Sequence, residues 1–81
     1  MTTTYTFDGT TARLDLNAGI LTIEDTEIPG GKFDFYHDNA KTLSAAVAGA
    51  MPGYIAAGSF TPFLAGRVAW IACKVANRAT A

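Results

Sequence analysis

The sequence predicts an α+β fold in which a four-stranded antiparallel meander is followed by two helices packed on one face of the sheet (ββββαα). Apolar and polar residues alternate through residues 3–36, and the repeat lengthens to about 3.6 residues near Asp38. Residues 61–78 then open with a helix cap and a proline. We expect the 81 residues to form one domain, with the meander in residues 1–37 and a helical half in residues 38–81.

The four strands are predicted from short alternating stretches separated by turn residues. Asp8-Gly9 is typical of a two-residue hairpin turn, because glycine tolerates the positive φ of a type I′ turn. The third stretch changes phase between Ile23 and Ile28, so we expect a bulge or an early end near Asp25. The predicted strands are residues 3–7, 11–16, 20–28 and 32–36.

A first helix is predicted to begin after Asp38, a good N-cap residue, and to end at Pro52-Gly53. Residues 54–60 fit a short edge strand, a helical turn or a buried loop equally well. Both helices are expected to cover the apolar face of the sheet, which leaves the other face to water. The side chains predicted on the covered face are Tyr5, Phe7, Leu14, Leu16, Leu21, Ile23, Phe33 and Phe35.

The second helix is the best specified element of the chain. Thr61 can cap its first turn, and Pro62 occupies the first helical position, where a missing N–H costs nothing. At 100° per residue the helix has an apolar stripe, a basic stripe beside it, and a face of small residues that needs a packing partner. The apolar stripe consists of Leu64, Val68, Ile71 and Val75, and the basic stripe of Arg67, Lys74 and Arg78. The small-residue face consists of Ala65, Gly66, Ala69, Ala72, Cys73 and Ala76.

Charge is distributed unevenly along the chain, although the formal net charge is only −1. All seven acidic residues lie in residues 1–40 with two basic ones, a formal charge of −5, whereas residues 41–81 carry four basic residues and no acid. The near-neutral total argues against general binding to nucleic acid or to an anionic membrane surface. We therefore expect neither to be a direct partner.

No residue pattern of a catalytic or ligand site is present in the sequence. His37 would need two or three more ligands to hold a metal, and neither Ser44 nor Ser59 lies in a nucleophile elbow. Gly30-Gly31 lacks the spacing of a phosphate-binding loop. We predict no enzyme activity, no cofactor and no metal.

The chain is expected to work in the cytoplasm. Cys73 is the only cysteine and is predicted to be a buried thiol, while residues 1–9 lack the basic and apolar regions of a signal peptide. The uncharged stretch 42–66 is rich in alanine and glycine and contains Pro52 and Pro62, which is more typical of interrupted helices than of a membrane span.

Two surfaces are candidates for partner binding. One is the basic stripe of the second helix with its neighbouring aromatics, for which a solvated helix face is the plainer interpretation. The other is an acidic outer face of the sheet, which ordinary solubility would also explain. The candidate residues are Arg67, Trp70, Lys74 and Arg78 on the helix, and Asp15, Glu24, Asp25, Glu27 and Asp34 on the sheet.

The leading hypothesis is a small non-enzymatic protein-interaction module that occupies a surface of a larger, nucleic-acid-binding complex. Its size and charge asymmetry are compatible with small accessory proteins of phages and mobile elements, including anti-CRISPR inhibitors, although no motif carries that comparison. A self-assembling homo-oligomeric subunit is the main alternative. A membrane-active peptide built on residues 42–75 and a nucleic-acid binder are further alternatives.

Overall fold

The computed structural model describes residues 2–80 and confirms the predicted ββββαα order. The four strands pair in sequence order as an antiparallel sheet, and two helices pack together on its inner face. The elements are β1 (Thr2–Phe7), β2 (Thr10–Asp15), β3 (Ile20–Glu24), β4 (Lys32–Tyr36), α1 (Ala40–Ala56) and α2 (Pro62–Ala79).

The predicted two-residue turn joins β1 to β2. Asp8 has a φ of 48° and Gly9 a φ of 90°, both positive as a type I′ turn requires. Phe7 pairs with Thr10 directly across this turn, so β2 begins one residue earlier than predicted. Because side chains alternate along a strand, Thr10 shares the inner face with Ala12 and is almost completely buried.

The prediction that Leu16 faces the helices is wrong, since Leu16 is 45% exposed. β2 ends at Asp15, whose Oδ1 accepts hydrogen bonds from the backbone N–H groups of Asn17 (3.0 Å) and Ala18 (3.1 Å). This local turn diverts the chain before Leu16 can join the strand. The hydrogen bonds, that from Ala18 foremost, lower the pKa of Asp15 below its ordinary value.

β3 ends at Glu24, next to the predicted break at Asp25. A tight loop follows: Ile28 N–H donates to the Asp25 carbonyl at 3.2 Å, and Gly31 N–H donates to the Ile28 carbonyl at 2.8 Å. The loop turns the Ile28 side chain back into the core, where it is 3% exposed. The phase change in the sequence therefore marks the end of the strand.

α1 is capped by Asn39 and not by the predicted Asp38. The Asn39 side chain accepts a hydrogen bond from the Lys41 N–H at 2.9 Å, and the Asn39 backbone is extended as an N-cap requires. The cap lies one residue later than expected, and the helix buries an apolar stripe with Leu43 and Val47 at its centre.

The predicted end of α1 at Pro52-Gly53 is also wrong, because the helix continues to Ala56. An interior proline removes one backbone hydrogen bond and costs about 3 kcal/mol relative to alanine. Met51, 5% exposed, and the partly buried Tyr54 pack into the core on either side of it. This burial offsets the cost and keeps both turns helical.

Gly58 provides the actual stop of α1. It has a φ of 77°, its N–H donates to the Ile55 carbonyl at 3.0 Å, and the Ser59 N–H donates to the Tyr54 carbonyl at 3.0 Å. This is the Schellman pattern, in which glycine takes the left-handed conformation after the helix. The ambiguous residues 54–60 therefore form the last helical turn and its cap.

α2 begins as predicted, with Pro62 as its first residue and the Thr61 Oγ1 accepting a hydrogen bond from the Leu64 N–H at 3.2 Å. Its small-residue face meets α1 within the same chain, since three alanines on that face are buried there. Cys73 lies beyond the edge of this contact and is exposed, so the predicted buried thiol is wrong. The buried residues of α2 are Leu64, Ala65, Val68, Ile71, Ala72, Val75 and Ala76.

The core lies between the sheet and the helix pair. At the α1 end it contains an aromatic cluster in which Phe33 lies 5.2 Å from Tyr54 and 5.3 Å from Phe60, measured between ring centroids. The other buried apolar residues of the sheet and its loop are Phe7, Ala12, Leu14, Leu21, Ile23 and Ile28.

Candidate functional site

Arg67 points from α2 to the turn between β1 and β2. Its Nη2 donates hydrogen bonds to the Phe7 carbonyl at 3.1 Å, the Asp8 carbonyl at 3.4 Å and the Thr10 Oγ1 at 2.9 Å. All three acceptors share the two N–H bonds of this one nitrogen, the longest contact being that to Asp8. Arg67 thus ties α2 to the first hairpin and belongs to the framework of the fold.

Asp25 is the carboxylate that completes this network. Its Oδ2 lies 3.8 Å from the Arg67 Nε and accepts a hydrogen bond from the Thr10 hydroxyl, and its side chain is only 13% exposed. The Glu27 N–H donates to its Oδ1 at 3.0 Å. The bonds from Glu27 and Thr10 and the charge of Arg67 hold the pKa of Asp25 below its ordinary value.

The predicted basic stripe is divided between two environments. Arg67 is neutralised by Asp25, whereas among the described residues 2–80 neither Lys74 nor Arg78 has a carboxylate partner. The Lys74 Nζ lies 5.5 Å from the centre of the Trp70 ring. The Arg78 guanidinium lies 4.9 Å from the Phe7 ring and 5.7 Å from the ring of Tyr5 on the same strand. The available positive charge therefore lies over aromatic rings, a contact that leaves it open to an anion.

A shallow groove of about 460 Å³ lies at the N-terminal half of α2, between Phe63 and Trp70. Gly66 forms its floor, and a Cβ built there would meet nothing within 4 Å. Phe63 is 75% exposed and Trp70 50% exposed, although the Trp70 ring also packs edge-on against Phe7 at 5.9 Å. The groove is thus an apolar surface that this chain does not cover.

The outer face of the sheet is more nearly neutral than the sequence suggested. Within the described residues, it carries three carboxylates against two cations, and threonines fill most other positions. Glu24 forms an ion pair with Arg13, and Asp34 lies 3.8 Å from the Lys32 Nζ. Paired charges of this kind contribute little long-range field. The third carboxylate on this face, that of Asp15, accepts the backbone hydrogen bonds of the turn after β2.

The structure does not bring all the predicted acidic residues onto that face. Asp15, Glu24 and Asp34 share it, but Asp25 turns to Arg67 on the side of the helices, and Glu27 lies exposed in the loop after β3. Whether any of them contacts a partner stays a prediction.

Sequence reasoning missed Thr10 and Gly66. Thr10 could have been found from the alternation of β2, had the strand been started directly after the two-residue turn. Gly66 was assigned to the small-residue face, and only the positions of the neighbouring rings make it the floor of a groove. His37, which the sequence left without a role, lies with its Nε2 2.6 Å from the Thr42 Oγ1 near the start of α1.

Comparison with protein-family models, with curated proteins and with solved structures found no match to this chain. In the part of the chain that the structure describes, no helix is long and apolar enough to cross a membrane. Within the same residues, no cluster of histidine, cysteine or carboxylate side chains is placed to hold a metal ion.

Proposed function

We propose that this protein is a non-enzymatic interaction module that binds a partner protein through the exposed groove of α2. The observation that carries the proposal is the exposure of Phe63 and Trp70 on either side of Gly66. A chain of 81 residues needs most of its large apolar side chains for its core. Large aromatics left in contact with water at one place are typical of a surface that a second protein covers.

The ion pair of Asp25 bears on the role of this carboxylate. Asp25 is the least exposed of the carboxylates in the described ion pairs, and its pKa is lowered, so it stays ionised at neutral pH. A general acid needs the opposite shift. The environment of Asp25 therefore favours a structural role.

We expect the substitution Phe63→Ala to abolish or strongly weaken partner binding without changing the fold. Phe63 contributes little to the core because it is 75% exposed. Aromatic residues at the centre of an interface commonly cost about 2 kcal/mol or more when truncated. The measurement is a pull-down with the tagged protein from a lysate of the source cell or of its host cell. The captured proteins are identified by mass spectrometry.

Tyr36→Ala is the matched control, since Tyr36 is 72% exposed and lies on the opposite edge strand of the sheet. A partner held equally by the wild type, Phe63→Ala and Tyr36→Ala would show that the groove is not the binding surface. A chain that captures no partner above the background of a tag alone would contradict the interaction proposal itself.

We further propose that the partner is a larger nucleic-acid-binding complex. The chain inhibits this complex by occupying one of its surfaces, as small phage and mobile-element accessory proteins of the anti-CRISPR type do. Lys74 and Arg78, which have no carboxylate partner among residues 2–80, support an acidic surface on that partner. The test is the activity of the captured complex on nucleic acid, which the wild type should reduce and Phe63→Ala should not.

A homo-oligomeric structural subunit is the second candidate, and the exposed face of α1 favours it. Ala45, Ala48, Gly49, Pro52 and Gly53 lie on this face, which therefore lacks charge over several turns. Small residues let another backbone approach closely. Light scattering at low and high salt separates the two candidates: we expect a monomer at both, whereas a salt-stable oligomer would favour self-assembly.

A further inference from the structure

The outer strand β1 has an open edge. In a hairpin with a two-residue turn the flanking residues exchange both hydrogen bonds, so Phe7, Tyr5 and Thr3 bond to β2. The backbone N–H and C=O groups of the alternate residues, Thr4 and Thr6 among them, point away from the sheet. The register therefore presents a row of unpaired donors and acceptors along this edge.

The two edges of the sheet differ in how they are protected. β4 carries Lys32 and Asp34, and charged side chains on an edge strand discourage pairing with other chains. β1, with the sequence TTTYTF, has no charge and no proline and consists of residues that favour strands. The β1 edge is the one suited to accept a further strand.

The exposed flank of α2 lies over this open edge. Trp70 packs edge-on against Phe7, and Arg78 lies over Phe7 and Tyr5, which are the inward-facing residues of β1. Lys74 lies over the Trp70 ring. A strand added to β1 would place every second side chain beneath this flank.

The charges of the flank select the occupant. Lys74 and Arg78 have no carboxylate partner among the described residues, and they are one helical turn apart, about 6 Å along the axis. Alternate side chains of a strand are about 6.8 Å apart. Carboxylates at alternate positions of an added strand would therefore fall near the two cations.

A second copy of this chain is a poorer occupant. Its own β1 contains no carboxylate. Two-fold pairing through this edge would also bring its Lys74 and Arg78 toward Lys74 and Arg78 of the first copy. Like charges at an interface oppose association.

We infer that the β1 edge and the basic, aromatic flank of α2 form one docking site for an extended acidic segment of a partner protein, which adds as a fifth strand. The inference rests on the proposed function, because it names the kind of partner and how it is held. Main-chain hydrogen bonds hold the segment, and side-chain charge selects it.

The test is the binding of a blocked synthetic peptide that alternates glutamate and valine. Trp70 is the only tryptophan, so its fluorescence reports occupancy of the flank directly. Three control peptides accompany the probe: one carries lysine at each glutamate position, and two are N-methylated at alternate backbone positions, one in each possible phase, so that only one of them loses the N–H groups that face the edge. We expect saturable binding of the glutamate peptide, weakening as salt is raised, and no binding of the lysine peptide. Because only every second N–H of an added strand faces β1, N-methylation should abolish binding in one phase and leave it largely intact in the other.

Variants locate the site on the protein. Thr4→Pro removes an outward-facing N–H without touching the ladder to β2, and the double variant Lys74→Ala/Arg78→Ala removes the charge. We expect each to weaken binding roughly tenfold. Lys41→Ala, on α1, is the matched charge control and should bind like the wild type. If Thr4→Pro fails to fold, the N-methylated peptides still decide the matter with the wild-type protein.

The inference would be overturned if the glutamate peptide caused no saturable change in Trp70 fluorescence. It would also be overturned if the two N-methylated peptides bound equally well. A captured partner that is lost in Phe63→Ala yet binds Thr4→Pro like the wild type would leave the proposed function standing and remove only the docking mode.

Discussion

Replacing Ile71 with alanine is expected to lower the free energy of unfolding by about 2–5 kcal/mol, enough to unfold much of a domain this small. Ile71 is completely buried on the face of α2 that meets the sheet. Truncation removes its transfer free energy and leaves a cavity that the surrounding side chains cannot fully close. Leu64→Ala, at 5% exposure, should cost a similar amount.

Circular dichroism melts and urea titrations measure this effect. Ile55→Ala is the matched control, because it removes the same side-chain atoms at a position near the end of α1 that is 37% exposed. We expect that variant to lose much less stability. Equal melts for Ile71→Ala and the wild type would mean that α2 buries a different face.

Replacing Arg67 with alanine is expected to cost about 2–4 kcal/mol, the second largest effect. The change removes the hydrogen bonds to the first hairpin and leaves the Asp25 carboxylate, 13% exposed, without its cation. Hydrogen bonds to charged groups contribute roughly 1.5–3 kcal/mol, and a partly buried charge that loses its partner is destabilising. Lys74→Ala removes from the same helix a cation that has no carboxylate partner within residues 2–80, and it should change stability by less than about 0.5 kcal/mol.

The Asp25 network also predicts how stability depends on pH. The pKa of Asp25 is lower in the folded protein than its ordinary value of 3.8, so the folded state favours the ionised carboxylate. The resulting stabilisation is fully present above the unfolded pKa and is lost as the pH falls through the lower, folded value. We therefore expect the cost of Arg67→Ala to be largest near neutral pH and to shrink in strong acid.

A double-mutant cycle with Asp25→Asn separates this interaction from the rest of the network. In the Asp25→Asn background the substitution Arg67→Ala should cost less than in the wild type, by about 0.5–3 kcal/mol, and stability below pH 3.8 should depend less on pH. Strictly additive costs in urea titrations at pH 7 would show that the two charges do not stabilise each other.

The sheet could be predicted from the sequence because its signals are local. Alternation of apolar side chains and the Asp8-Gly9 turn each depend on a few neighbouring residues, and they place the four strands within a residue or two except at the end of β3. The start of α2 is equally local, since Thr61 caps the helix with its own side chain.

The candidate site could be predicted only in part. The exposure of Trp70 follows from its place beside the basic stripe, and the structure leaves Trp70 50% and Phe63 75% exposed. The predicted acidic residues do not form one surface. Asp25 directly follows a strand in sequence, but it pairs with a helix residue on the other side of the sheet. No local pattern encodes that contact.

The sequence by itself thus determined the order of the elements, the hairpin register and the face by which α2 packs, since each follows from side-chain period and backbone preference within a few residues. Only the tertiary structure decided that α1 continues through Pro52, that Arg67 joins the framework, and that the β1 edge stays open beneath α2. Burial and ion pairing between distant residues decide such features: Arg67 and Thr10 are 57 positions apart, and their contact exists only once the helix has docked on the sheet.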